Sequence, residues 1–351
     1  MLKEHAIAAV NYLINESNDN KDLNITFFGG EPLLEFELIR TVIEHIDSIK
    51  NSVTKNISYS ITTNGTIAND EIFSFLKDRF NLLLSIDGDR FSHNRHRRFL
   101  DGTATFDIIM ENCALLKKYQ PWLGAHMTVC PDTVEYLSNN VKFLFGQGIR
   151  QFLIETTYGF IWSPVSLLIY QEQMRNVIQF YTRLKKANEP VKIALFEDDS
   201  EKRKINSNIF GCSAGKNSLT VSPSGNLFPC RMMRGFINKT SDYCLGNVFD
   251  GITQRHLRDD FIALHCLDSG LCASCDAMLY CRGGCPVQNY YDTGSIDKPA
   301  KYTCEIAKIN KSLVDEYTAV MRKAAPSANP KTEATNTAAI TSSDRQSTVR
   351  V

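Results

Sequence analysis

The chain has 351 residues, 43% hydrophobic and 22% charged, the mix of a globular protein with a real core and enough length for two domains. Basic and acidic residues both number 39, so no net field draws the chain to nucleic acid or to an anionic membrane. No apolar run reaches the length of a membrane span and the amphipathic start is not a signal peptide, so a cytoplasmic location is expected.

In chain order, the first half alternates helical and strand signals. Ile7, Val10 and Ile14 keep helical spacing, and residues 24–28 then read as a buried strand. Ile39, Val42, Ile43 and Ile46 mark a helix before a strand at 58–62, and further strands are predicted at 82–86, 124–129 and 151–155. Helices carrying Phe106, Ile109, Cys113 and Leu116, and then Val134, Leu137, Val141 and Leu144, lie between these strands. A last one carries Met174, Val177, Ile178, Tyr181 and Leu184. Such βα repetition predicts an α/β fold with a parallel sheet and helices outside. Polar, glycine-rich turns follow the strands: Gly29-Gly30-Glu31-Pro32, Asn64-Gly65, Asp87-Gly88 and Pro131-Asp132. In βα barrels that end of the sheet builds the active site, although connecting loops need such residues for turning anyway.

From about residue 205 the βα rhythm gives way to cysteine and glycine, with a hairpin turn expected at 221–226 and a closing helix from Ile306 to Met321. After Ala325 the sequence is too polar to bury a core and is expected to be disordered. The resulting division is 1–195, 205–322 and a tail at 326–351.

Nine of the 11 cysteines fall between Cys212 and Cys304. Their odd total and short spacings argue for metal and against a disulfide scaffold. The densest group is Cys272-x2-Cys275-x5-Cys281-x3-Cys285, followed by Cys304; upstream, Cys212 precedes Gly225-x4-Cys230. One loop can deliver several such thiolates to one centre, either an iron–sulfur cluster or structural zinc.

This ordered set resembles the signature of the SPASM domain, and the first half resembles the radical S-adenosylmethionine domain that precedes it in that family. Together the two cover about residues 1–322. The resemblance implies a partial (β/α) barrel lacking its first strand, followed by a SPASM-like domain with two auxiliary 4Fe–4S clusters. One cluster would take the Cys272, Cys275, Cys281 and Cys304 positions; the other would take Cys212, Cys230 and Cys285, with Cys285 crossing over. The latter often has a fourth ligand near its first cysteine, and none is there in this sequence. Cys244 or Cys266 can fill the place, or the iron can keep an open position for substrate; either cysteine can instead be a spare core thiol.

The resemblance also implies S-adenosylmethionine at Gly29, Gly30, Glu31 and Pro32, which match the family's GGEP element, at Ser85 of the Ser-x-Asp-Gly segment, and at Arg97 of His93-Asn94-x-x-Arg97. Asn64 either lines the same pocket or serves a plain turn. The arginines at 90, 95, 97 and 98 read otherwise as a solvated basic loop, and His126 reads as a satisfied barrel residue. The expected activity is hydrogen abstraction from a peptide or protein, leading to crosslink or oxidation, with a reduced electron donor protein as partner and neither nucleic acid nor membrane involved. Arg231 follows Cys230 where the sulfatase-maturating members carry aspartate, which favours a maturase of ribosomally made peptides. The family's C-x3-C-x2-C motif does not occur in the sequence. Two explanations stay open: an enzyme whose start is placed too late, or a catalytically inactive iron–sulfur peptide-binding fragment. A zinc scaffold is the remaining alternative.

Overall fold

The computed structural model describes residues 1–197, 210–235, 243–265, 270–324 and 347–350. Helix α1 (Lys3–Glu16) leads into strand β1 (Asp22–Phe27), and the βα pattern then runs through α2 (Phe36–Ile49), β2 (Asn56–Thr63), α3 (Asp70–Leu76) and β3 (Phe80–Ser85). It continues with α4 (Arg90–His96), α5 (Phe106–Tyr119), β4 (Gly124–Val129), α6 (Leu137–Gly146), β5 (Gln151–Thr156), α7 (Pro164–Lys186) and the short β6 (Lys192–Ile193). Neighbouring strands from β1 to β6 pair in parallel, each with the next in sequence. The α/β class and parallel sheet are as expected; β6 was not foreseen, because two residues carry no periodicity.

Local chemistry sets the helix starts. The Asn69 side chain accepts from the amides of Glu71 and Ile72 to cap α3, Asp89 accepts from Ser92 to cap α4, and Ser163 caps α7 ahead of Pro164. Alternation along the strands divides two faces. Leu23, Ile25 and Phe27 of β1, Leu82 and Leu84 of β3, and Ala125, Met127 and Val129 of β4 are buried in the main core. The intervening residues are polar at most places: Asn24 and Thr26, Ser58 and Ser60, His126 and Thr128, and Glu155. Asn24 Nδ2 donates to Ser58 Oγ (2.9 Å) and Ser60 Oγ (3.1 Å), so this second face is a hydrogen-bonded polar wall.

The Cys-rich region adds the expected hairpin, β7 (Ser218–Val221) and β8 (Asn226–Phe228), then α8 (Arg231–Gly235), β9 (Gly246–Asn247), β10 (Gly251–Ile252) and α9 (Arg255–Ile262). Short helices α10 (Gly270–Ala273), α11 (Met278–Cys281) and α12 (Pro286–Thr293) carry the cysteine motif, and α13 (Lys301–Ala324) is the closing helix. Helix α13 packs back on α7, where Tyr170 Oη donates to Asn310 Oδ1 at 2.8 Å and Tyr317 stacks among Tyr181 and Phe196. The tail differs from expectation. Residues 347–350 form strand β11, parallel to both β1 and β7, which joins all strands into one eleven-stranded sheet. Thr348 and Val349 are β-branched, which suits a strand, and the pairing supplies backbone partners for the edge of β1. The rest of the tail and Cys266 lie outside the described residues.

Leu84 is fully buried in the centre of the parallel sheet, and its Cδ1 lies only 2.4 Å from where a Cβ on Gly65 would stand. Leu84→Ala is expected to destabilise the chain by about 2–5 kcal/mol through lost burial plus a cavity, read as a shift in denaturant midpoint; a change near zero would mean that the β3 register is wrong.

Candidate functional site

The carboxyl ends of β1 to β5 converge on one edge of the sheet. After β1, Gly29 and Gly30 are exposed, and a Cβ on either would meet no atom within 4 Å, so the protein leaves open space over this backbone. Glu31 turns towards β2: Oε1 accepts from Leu33 N (3.1 Å) and Thr63 Oγ1 (2.9 Å), and Oε2 from Asn64 N (2.6 Å). Its carboxylate thus straps the β1 loop to the end of β2, with Pro32 buried beside it. Asn64 uses its own Oδ1 to accept from Thr66 N at 2.9 Å, and Gly65 takes the left-handed backbone (φ 72°) that this turn demands.

At the β3–β4 side, Ser85 ends β3 in register with His126. The nearly buried Asp87 receives Arg97 in a two-point pairing, Nε to Oδ2 at 2.6 Å and Nη2 to Oδ1 at 2.9 Å, and also accepts from Thr128 N at 2.8 Å. Arg97 additionally reaches Thr128 Oγ1 at 3.2 Å. The predicted Arg97 is therefore held by a carboxylate across the loop. Asp87 read from sequence only as a turn residue, and Thr128 and Glu155 were not singled out, although their place near strand ends was the available signal. His126 is satisfied, with Nε2 2.7 Å from Glu155 Oε2. His96, Cys130 and Asp132 bring three potential ligand atoms within 4.8 Å of one another. Asp132, however, already engages Arg95 (2.9 Å) and His96 (2.8 Å), and burial, followed by the nearby carboxylates, pushes the Cys130 thiol up to about 11. The group latches α4 to the loop after β4.

The predicted cysteines gather in two places. Burial comes first, and the thiols of Cys304, Cys272 and Cys275 second, in pushing the Cys281 thiol up to about 11; Cys304 is raised by burial and then by Cys272 and Cys275. These four thiols stand within electrostatic reach of one another, an arrangement that opposes ionisation until a cation compensates it. Cys212, Cys230 and Cys285 pack instead around Phe210, Met233, Phe261 and Val287. The change of direction is made by three successive left-handed residues, Arg282, Gly283 and Gly284, which separate Cys281 from Cys285. Gly211 N donates to Arg282 O at 2.8 Å, bringing the segment before Cys212 to that turn. Cys244 donates to Gly246 O at 3.5 Å beside a cavity of about 400 Å³ that is also lined by Asn226, Asp250 and Leu257. Arg231 places its guanidinium 4.1 Å from the Phe28 ring, tying Cys230 to the end of β1.

His93 is fully buried beneath this edge, with Nε2 3.0 Å from Thr105 Oγ1 and Nδ1 facing the Asp87 amide. Burial pushes its pKa from 6.5 down to about 4, against the opposing pull of Asp87. Between pH 6.5 and 4 only the unfolded chain takes up this proton, so stability falls with acidification there, by up to roughly 3 kcal/mol, and the term is absent above pH 6.5. In His93→Gln this part of the slope is expected to vanish in denaturant titrations across that window. Equal slopes in the two proteins would show that the imidazole protonates freely in the folded state.

With this geometry in place, comparison with known proteins is informative. Residues 7–144 match the family described as the Radical SAM superfamily. The radical SAM cyclopropyl synthase TigE of Paramaledivibacter caminithermalis is 24% identical over 92% of this chain and 65% of its own length, so the chain spans just under two thirds of that relative. A cysteine-type anaerobic sulfatase-maturating enzyme of Clostridium perfringens is 24% identical over 79% of this chain and 76% of that protein. The solved structure of native anSMEcpe with bound AdoMet and Cp18Cys peptide superposes with a TM-score of 0.73 at 20% identity, covering 93% of this chain and 92% of that one. This chain carries a radical SAM domain and is a homologue of TigE and of the anaerobic sulfatase-maturating enzymes.

Proposed function

We propose that the chain belongs to a maturase that modifies a peptide or protein by hydrogen abstraction, using S-adenosylmethionine at the β1–β4 loops and two auxiliary 4Fe–4S clusters in the Cys-rich region. The observation that carries the reading is the gathering of seven cysteines into two groups, one of which adjoins the end of β1 through Arg231. S-adenosylmethionine, bound to a reduced iron–sulfur cluster, supplies a radical able to take a hydrogen atom from carbon.

The residues present suit these groups. Gly29 and Gly30 leave backbone carbonyls exposed over open space, which admits an ammonium, while the strap at Glu31 fixes the loop that presents them. Ser85 and Asn64 flank the opening, and Arg97, held by Asp87, adds rigidity more than free charge. Cys272, Cys275, Cys281 and Cys304 are the ligand set of one cluster. Cys212, Cys230 and Cys285 are the ligands of the second. Cys244 or Cys266 can serve as its fourth ligand, or the iron position stays open for substrate. The polar wall of Asn24, Ser58, Ser60, His126 and Glu155 offers donors and acceptors to an extended peptide, and a reduced electron donor protein supplies electrons. Arg231 in place of aspartate favours crosslinking of a ribosomally made peptide over sulfatase-type oxidation.

The test is anaerobic reconstitution of the chain. Brown protein with about eight irons is expected, and Cys275→Ala and Cys281→Ala are each expected to lose about half of that iron and to melt at lower temperature, since metal binding supplies folding energy. Colourless protein with stoichiometric zinc, or full iron retention in both variants, would overturn the assignment.

A further inference from the structure

Apart from the residues assigned to the cofactor and to the two cysteine groups, one cluster brings together metal-ligating atoms of three kinds. Cys130 directly follows β4, and Asp132 stands two residues on, in a loop that Thr133 N closes by donating to Cys130 O at 3.1 Å. His96 is the last residue of α4. The ligand atoms of His96, Cys130 and Asp132 all lie within 4.8 Å of one another. His96 Nε2 meets Asp132 Oδ1 at 2.8 Å, while Arg95 Nε donates to the other oxygen, Oδ2, at 2.9 Å. The Phe160 ring stands edge-on to the His96 imidazole with centroids 5.6 Å apart. Exposure is graded across the cluster: Cys130 is 4% exposed, whereas the side chains of His96 and Asp132 are 28% and 36% exposed. The thiol thus forms a dry floor, and the imidazole and carboxylate form a rim that an ion can reach from water.

We propose that His96, Cys130 and Asp132 form a zinc site with one ligand position left open. The proposal does not depend on iron in the Cys-rich region. Thiolate, imidazole and carboxylate are the donors that zinc accepts together, whereas magnesium and calcium take oxygen. Zinc stands about 2.3 Å from sulfur and about 2.1 Å from nitrogen or oxygen, so its ligands lie roughly 3.5 Å apart. Closing the three atoms to that spacing takes a movement of about an ångström, which the exposed ends of His96 and Asp132 can supply. On binding, the thiol proton passes to solvent and the imidazole keeps its proton on Nδ1, so thiolate and carboxylate balance the two positive charges of the ion. Arg95, by holding Oδ2, aims Oδ1 at the imidazole, the kind of outer contact that orients a ligating carboxylate. In the metal-free chain the His96–Asp132 hydrogen bond is the latch between α4 and the loop after β4, and the ion takes the place of its hydrogen. Arg97 follows His96 directly and pairs with Asp87, so an ion here also fixes the backbone that carries this arginine.

Equilibrium dialysis of the chain against buffered zinc, followed by metal analysis, tests the site. The late cysteines also take metal, so the quantity read is a difference: His96→Ala and Cys130→Ser are each expected to hold one zinc fewer per chain than the parent, whether or not the Cys-rich region has first been filled with iron. Cadmium-113 resonance gives a second reading, a signal typical of a single sulfur ligand, well upfield of sites with several thiolates, present in the parent and lost in both variants. His96 lies at the surface, and its variant is expected to melt like the parent without metal, so it decides the matter even where Cys130→Ser fails to fold. Equal zinc in the parent and in His96→Ala, or a parent without the single-sulfur cadmium signal, would overturn the proposal. Iron content measured on the same samples reports on the cluster reading separately, so either reading can fail while the other stands.

Discussion

Side-chain alternation along parallel strands is the constraint from which the rest of this structure follows. Strands of a sheet covered on one side must send every second residue into the helices and the others to the opposite face. On β1 and β4 the helix-facing set is Leu23, Ile25 and Phe27, and Ala125, Met127 and Val129, all nearly inaccessible. The opposite set is Asn24 and Thr26, and His126 and Thr128. Because the second set is polar and already cross-linked by hydrogen bonds, the face can remain open to a ligand without presenting an apolar patch. The loops after these strands inherit fixed starting points, and the straps at Glu31 and at Asp87–Arg97 convert that regularity into a rigid rim.

The Cys-rich region solves a different problem. Among the described residues its own apolar cluster is small, six buried residues from Phe210 to Val287, and its helices α10 and α11 have four residues each. Such a segment has little core with which to offset the entropy of ordering it. It also buries thiols that raise one another, as Cys281 and Cys304 do. A bound cationic centre removes that repulsion and adds cross-links, so the feature that weakens the metal-free segment is the one that metal would reverse. The left-handed run at Arg282, Gly283 and Gly284 matters here, because it sends Cys285 away from Cys281 and so shares the motif between two groups.

Much of this was legible in the sequence, for identifiable reasons. Five strands and their helices carried strong periodicity, and the loss of that rhythm together with the clustered cysteines marked where the second region begins. What was hidden depends on partners distant in the chain. Glu31 carries the right charge for an ammonium, yet its two oxygens are spent on Leu33, Thr63 and Asn64, and only the β1–β2 pairing reveals this. Arg97 looked like a free cation because Asp87, ten residues earlier, reads from sequence as a turn residue. Strand β6 has two residues, below any window of periodicity, and β11 lies in a tail whose composition predicts disorder. Its pairing with β1 and β7 is decided by the sheet edge available to it, which local composition does not record.

Two ties of different chemistry hold the Cys-rich region against the barrel: aromatic packing of Tyr317 with Tyr181 and Phe196, and the Arg231 guanidinium over Phe28. The first is far from the site and sets the overall placement of α13 by burying rings. The second sits at the open edge, beside Cys230. A displacement of the Cys212, Cys230 and Cys285 group would therefore break a cation–π contact, while the other four cysteines, carried by α10, α11 and the start of α13, would feel it through the turn at Arg282.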